Sequence, residues 1–393
     1  MNILAIESSC DETAAAIISD GAAPVILSNV VVSQIDIFKS YGGVIPEVAA
    51  RSHLEAILPV IHQAFKEANF ITKNPENKER VDDWSKIDAI AVTHTPGLLG
   101  SLLIGTLTAR TLAILHDKPL YAVHHLKSHI YANWLKTSKN SHTLANQSPT
   151  NPSPKTPAFP LLALVISGGH TQIIHMEKHN HFEIIGTTHD DAVGECFDKI
   201  AKILGLPYPG GPAIANAAKG KVTAKSGQIT SVLPGNPQKY RFPHPQVEDL
   251  DFSFSGLKTA VLRTVQKEVG VPISYPSHEL ATLLSAQQKA DFAASFQNTA
   301  VDILLEKLEK GLEKYPDTKS IVIAGGVSAN ECLREKANAR FGQTSGLSLF
   351  FPEPKFSGDN AAMVGAAALY EITSGVAPTD PYSLNISPRS QIS

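Results

Sequence analysis

LLALVISGGHTQIIHM, residues Leu161–Met176, holds the pattern on which the fold turns. Two apolar runs, Leu161–Ile166 and Ile173–Met176, flank the polar turn SGGHTQ. Short aliphatic and β-branched runs bounded by glycine read as buried strands, and a Gly-Gly pair suits a tight hairpin. The same grammar opens the chain, where Asn2–Ile6 and Ala14–Ile18 flank the polar stretch ESSCDET. Between and after these units, strand and helix signals alternate. Val48–Phe65 has helical periodicity, and Ile87–Thr93 reads as a buried strand leading to a helix over Ser101–Leu115. Pro119–Val123 is a further strand, Ile321–Ala324 another, and Ala361–Thr373 an apolar helix ending near Gly375. One strand–turn–strand unit at the head of each half predicts a mixed α/β protein with two related lobes.

Length and composition agree with that reading. The 393 residues suit two domains, and 43% hydrophobic with 18% charged residues describes a globular protein. A formal charge of −3 excludes a general basic surface for nucleic acid, so a nucleic-acid partner needs a local patch or another subunit. Cys10, Cys196 and Cys332 form no CxxC spacing, which points to a reducing compartment and against a disulfide framework. The opening apolar run meets Glu7, Asp11 and Glu12 too soon for a signal peptide, and no run approaches the ~20 residues of a membrane span. A cytoplasmic protein is expected. Lys136–Pro157 is rich in Ser, Thr, Asn, Lys and Pro and reads as a flexible insertion. It divides an N-terminal lobe, 1–135, from a C-terminal lobe, 158–365, with a C-terminal helix over about 366–393 packing back on the first.

Several motifs offer chemistry, each with a plain structural alternative. SGGHTQ exposes backbone N–H groups to an anion, with hydroxyls from Ser167 and Thr171, or is simply a hairpin turn. In IAGGVSAN, Ile323–Asn330, Ser328 is placed to cap a helix whose N-terminus suits a phosphate or a nucleotide sugar. LPYPGGP, Leu206–Pro212, is a rigid loop with open glycine backbone. In DDAVGECFDK, a helix would bring Asp191, Glu195 and Asp198 to one face, either solvated or set against ribose hydroxyls. Asp359 precedes a helix, where capping alone would explain it.

HHLKSH, His124–His129, carries the sharpest signal: His125 and His129 are spaced to share one helix face. The pair follows a strand end, where α/β proteins place ligands, and a carboxylate such as Asp359 would complete a divalent-metal set. A zinc protease needs Glu immediately after the first histidine, and Leu126 stands there instead.

Taken in order, IESSCDETAAAI, THTPGLLGSLLIG, VHHLKSH, SGGHTQ, DDAVGECFDK, YPGGP, FSFSGLKTAV, GGVSAN and FSGDNAAMVG span nearly the whole chain. This set resembles the family of tRNA N6-adenosine threonylcarbamoyltransferases, in its bacterial and organellar branch. The resemblance implies the actin, Hsp70 and sugar-kinase fold. It implies transfer of threonylcarbamoyl from threonylcarbamoyl-AMP to N6 of the adenosine beside the anticodon, in tRNAs reading codons that begin with A. By motif match it places one metal, iron(II) with zinc as the alternative, on His125, His129 and Asp359. It places the acyl-adenylate on Val165, Ile166, Ser167, Gly168 and Gly169, with Asp198, Gly211 and Asn330. Asp11 and Glu12 fall where the family has acidic residues near the reactive centre. The implied partners are tRNA, a paralogous subunit, a small ATPase and a separate synthase of the adenylate, with no membrane. Two other readings stand beside it, a non-catalytic partner subunit and a sugar-kinase-like nucleotide-binding enzyme. Neither the Lys136–Pro157 insertion nor Thr223–Arg241 belongs to the matched motifs.

Overall fold

The computed structural model describes residues 1–74, 79–137, 156–245, 247–390 and 392. The expected hairpin at the N-terminus forms: β1 (Asn2–Glu7) pairs antiparallel with β2 (Glu12–Ser19), which pairs with β3 (Val25–Ser33). Helix α1 (Pro46–Glu67) follows, then β4 (Ala89–Thr95), α2 (Leu99–Leu115), β5 (Leu120–His124) and the short α3 (His125–Tyr131). β4 lies parallel to β1, and β5 parallel to β4.

The second half repeats this plan. β6 (Leu161–Ile166), β7 (Thr171–Met176) and β8 (Glu183–Thr187) form an antiparallel meander. Helices α4 (Val193–Leu204), α5 (Gly210–Ala218) and α6 (Ala286–Lys314) precede β9 (Ser320–Ala324), α7 (Glu331–Phe341) and β10 (Ser348–Phe350). β9 is parallel to β6, and β10 to β9. The sheets therefore run β3-β2-β1-β4-β5 and β8-β7-β6-β9-β10, with the same order and the same directions. The two related halves expected from the repeated strand–turn–strand unit are present.

Every residue of β6 is buried, because both faces of its sheet are covered. Leu162, Leu164 and Ile166 face the helices of the second half, among them Phe197 and Ile200 of α4. Leu161, Ala163 and Val165 face a core shared with the first sheet and with α8 (Ala361–Thr373). The small residues of α8 allow that close approach. A Cβ on Gly365 would lie 2.5 Å from Ile18 Cγ1 and 3.3 Å from Ala5 Cβ.

The apolar helix expected over Ala361–Thr373 forms with those bounds, and the helix expected over about 366–393 does not continue beyond Thr373. Gly375 adopts φ +80°, and Pro378, Pro381 and Pro388 prevent resumption of the helix. The remaining chain runs back along the first lobe, where Thr379 bridges Leu120 and Gly97 N donates to Pro388 O. Lys136–Thr137 adds a two-residue strand beside β3, and of the rest of the expected insertion 138–155 lies outside the described residues. Thr223–Arg241 contributes one side of a small ladder, Lys221–Thr223 with Ile229–Ser231.

Candidate metal centre

β5 ends at His124, whose Nδ1 accepts the Leu126 N–H and so caps α3. The next residue, His125, and His129 one turn later then face the junction between the lobes. They are 7% and 1% exposed. Asp359 reaches them from the loop before α8. That helix is capped by Asn360, whose Oδ1 accepts the Met363 N–H while its Nδ2 donates to Phe356 O and Gly358 O. Capping therefore does not explain Asp359. Its Oδ1 lies 3.5 Å from His125 Nε2 and 3.1 Å from His129 Nε2. One ligand atom from each of the three residues lies within 4.8 Å of the other two.

These residues fit a divalent cation. Neither ring nitrogen of His129 makes an aligned hydrogen bond, although both are buried. Two imidazoles and a carboxylate with open positions form a recognised metal set. Behind His125, Nδ1 lies 3.2 Å from Glu7 Oε2 and 3.2 Å from Ser9 Oγ. A carboxylate only accepts, so Nδ1 keeps its proton and Nε2 is the nitrogen left to give its lone pair to a bound metal. Glu7 is itself held by Ser9 N at 2.5 Å and Thr93 Oγ1 at 2.6 Å. Burial disfavours the charged imidazole, but Asp359 and Glu7 outweigh it and push His125 up to about 9. Burial works against Asp359 too, yet His125 and His129 hold its carboxyl below the usual carboxylate range. Two buried carboxylates against this pair make a pocket that demands positive charge.

The centre opens into a cleft of about 830 Å³ between the lobes. From the first lobe, Asp11 and Glu12 line it. Burial, with Asp359 and Asp11 adding repulsion, pushes Glu12 up to about 9, so it holds its proton at neutral pH. From the second lobe come Ser167, Gly168, Gly169 and His170, in the turn between β6 and β7. Ser167 N donates to His170 O at 2.9 Å, and His170 N donates to Ser167 Oγ at 3.2 Å. SGGH is thus a tight hairpin turn and also a wall of the cleft, since nothing lies within 4 Å of a Cβ placed on Gly168 or Gly169. Helix α4 is pressed against this turn: a Cβ on Gly194 would lie 2.5 Å from Ser167 O.

Val165 and Ile166 have wholly buried side chains in the two cores and do not line the cleft; they hold the turn in place. Thr171 is also buried, and its hydroxyl accepts the Val193 N–H at the start of α4 instead of facing a ligand. The acidic motif divides. Asp190 accepts from Ser253 Oγ, Ser255 Oγ and Phe254 N, and Asp191 pairs with Lys199, while only Asp198 lines the cleft. The single acidic face does not form because α4 begins at Val193, which leaves Asp191 outside the helix. Burial pushes Asp198 up to about 6 although it accepts the Gly210 N–H at 2.6 Å.

Gly211 and Asn330 complete the far wall. The cap of α7 is Asn330 and not Ser328, because Gly326–Ala329 forms a 3-10 turn and the helix starts only at Glu331. Asn330 Oδ1 accepts from Leu333 N and its Nδ2 donates to Gln297 Oε1, which leaves one lone pair and one N–H for a ligand. Sequence reasoning missed Glu7 and His170. A carboxylate closing the apolar strand NILAIE was the available sign for Glu7.

A family model, TsaD: tRNA N6-adenosine threonylcarbamoyltransferase, matches residues 25–366. A Symbiobacterium thermophilum protein of that name is 43% identical over 375 residues, covering 95% of this chain and 92% of its own. One from Bacillus cereus is 41% identical over 391 residues, covering 98% and 95%. Among solved structures, full-length HypF in its phosphate- and nucleotide-bound form matches with a TM-score of 0.50 and 14% identity. It covers 96% of this chain and 47% of its own, a likeness of fold alone.

Proposed function

Because the chain belongs to the family of tRNA N6-adenosine threonylcarbamoyltransferases, we propose that it carries out this transfer in the cleft between its lobes, with threonylcarbamoyl-AMP as donor and the adenosine beside the anticodon as acceptor. It is a transferase acting on tRNA in threonylcarbamoyladenosine biosynthesis. The observation that carries the reading is the triad His125, His129 and Asp359, set at one end of a cleft whose other walls are open glycine turns.

The donor is already activated, so the protein has to align two reactants and stabilise developing charge. Gly168 and Gly169 offer backbone N–H groups to the adenylate phosphate, and Asp198, Gly211 and Asn330 bind its ribose. Ser167 anchors the turn, and Val165 and Ile166 support it from the core. His125, His129 and Asp359 would hold one divalent metal, iron(II) or zinc, which supplies polarisation of the carbamoyl oxygen when bound. Asp11 and the protonated Glu12 line the first lobe's side of the cleft and orient the incoming amine.

With a formal charge of −3, the chain recruits tRNA through partners. These are a paralogous subunit and a small ATPase, with the adenylate made by a separate synthase in the cytoplasm. No helix among the described residues is long and apolar enough to cross a membrane. Leu126, after His125, leaves a metalloprotease without its base, and the intact triad disfavours a non-catalytic partner role.

The test is mass spectrometry of nucleosides from unmodified tRNA incubated with threonine, bicarbonate, ATP, synthase and partners, with this chain wild type, His125→Ala or omitted. Threonylcarbamoyladenosine formed only with the wild-type chain is the expected result. Product formed equally without the chain overturns the reading.

A further inference from the structure

The cleft holds one side chain that the proposed chemistry leaves without a task. His170 follows the Gly168–Gly169 turn, and its backbone is fixed on both sides by Ser167. It lines the cleft, and its imidazole is within electrostatic reach of His125, His129 and Asp359. Neither ring nitrogen has a hydrogen-bond partner among the described residues, unlike His124 and His125 beside it. A titratable residue whose backbone is held on both sides, which lines the cleft and whose ring is left unpartnered is suited to meet a substrate atom.

Resting on the transferase reading, we infer that His170 is a catalytic residue that takes the proton from the attacking adenosine amine. In this step the N6 lone pair forms the C–N bond to the carbamoyl carbon. The C–O bond to phosphate breaks with its electron pair on AMP, and the N6 proton passes to a ring nitrogen of His170 and then to water. The adding nitrogen becomes acidic as the bond forms, so a neutral imidazole is basic enough. Other acceptors in the cleft are engaged. Asp359 faces two imidazoles, Asp198 accepts from Gly210, Glu331 pairs with Lys219, and Glu12 already holds a proton. Asp11 remains as the rival.

The experiment is single-turnover transfer to tRNA by the full chain with its partners, comparing wild type, His170→Ala, His170→Gln and Asp11→Asn. Metal content and equilibrium binding of a non-hydrolysable adenylate analogue are measured on each. Both His170 variants should lose about 10²–10⁴-fold in rate while metal content and analogue affinity stay within about twofold of wild type. Added imidazole should restore part of the rate of His170→Ala and leave His170→Gln unchanged. If His170→Ala does not fold, His170→Gln carries the comparison.

The inference is overturned if His170→Gln turns over at nearly the wild-type rate, if its loss follows lost metal or analogue binding, or if a folded His170→Ala ignores imidazole. A loss confined to Asp11→Asn also overturns it and assigns the proton to the rival. Failure of the transferase reading looks different, because the wild-type chain then yields no product.

Discussion

Glu7→Gln removes one buried charge from behind the metal centre and leaves the side-chain shape intact. The carboxylate accepts from Ser9 N on Oε1, and from Thr93 Oγ1 and His125 Nδ1 on Oε2. An amide cannot reproduce this. With its nitrogen at the Oε1 position, the Ser9 N–H faces a second donor and a buried polar group goes unsatisfied, at about 1–3 kcal/mol. With its nitrogen at the Oε2 position, the Thr93 hydroxyl can rotate to accept, but His125 Nδ1 must also become an acceptor. The ring proton then moves to Nε2 and covers the lone pair left for a bound metal. Either arrangement weakens the centre by the amount typical of lost outer partners, about 10–100-fold in metal affinity, or about 1.4–2.8 kcal/mol. The assay is competitive titration of zinc or anaerobic iron(II) against a chromophoric chelator, with cooperative melting as the control for folding. Glu7→Gln binding metal within about twofold of wild type, while His129→Ala has lost it, would refute the reasoning.

Other outcomes follow from the same geometry. His125 in the metal-free protein is pushed up to about 9, above its ordinary 6.5. Its charged form therefore stabilises the fold fully below pH 6.5, and this contribution is lost as pH rises through 9. A metal competes with that proton, so affinity should climb from pH 6.5 to 9 with proton release, measured by calorimetry in buffers of different ionisation enthalpy. Asp198 is pushed up to about 6 from 3.8, so its ionisation opposes folding above that window. Asp198→Asn should melt higher than wild type at pH 8, the difference should vanish by about pH 4, and adenylate-analogue binding should weaken. Gly194→Ala places a Cβ 2.5 Å from Ser167 O and must displace the SGGH turn. Equilibrium binding should show analogue affinity down about tenfold or more, about 1.4 kcal/mol, with metal affinity retained. Gly211→Ala meets nothing within 4 Å in the protein, so it should melt as wild type does and lose affinity only through contact with the ligand.

The sequence by itself determined the strand–turn–strand units at Asn2–Ser19 and Leu161–Met176, the helix face shared by His125 and His129, and the ends of the last apolar helix. These are local facts, because side-chain period and glycine position act within a few residues. It also marked the acidic motif without dividing it, since the start of α4 at Val193 depends on Thr171 accepting that residue's N–H. The motif match named Asp359 beside the histidines, but only the tertiary structure brings it to them, sets Glu7 behind His125 and lines the same cleft with His170. Each of these contacts joins residues far apart in the chain. They come together because the small-residue face of α8 packs against the first sheet and, with β6 and β9, closes one core between the two sheets. No periodicity in the sequence records that packing, because it depends on how two distant apolar surfaces fit.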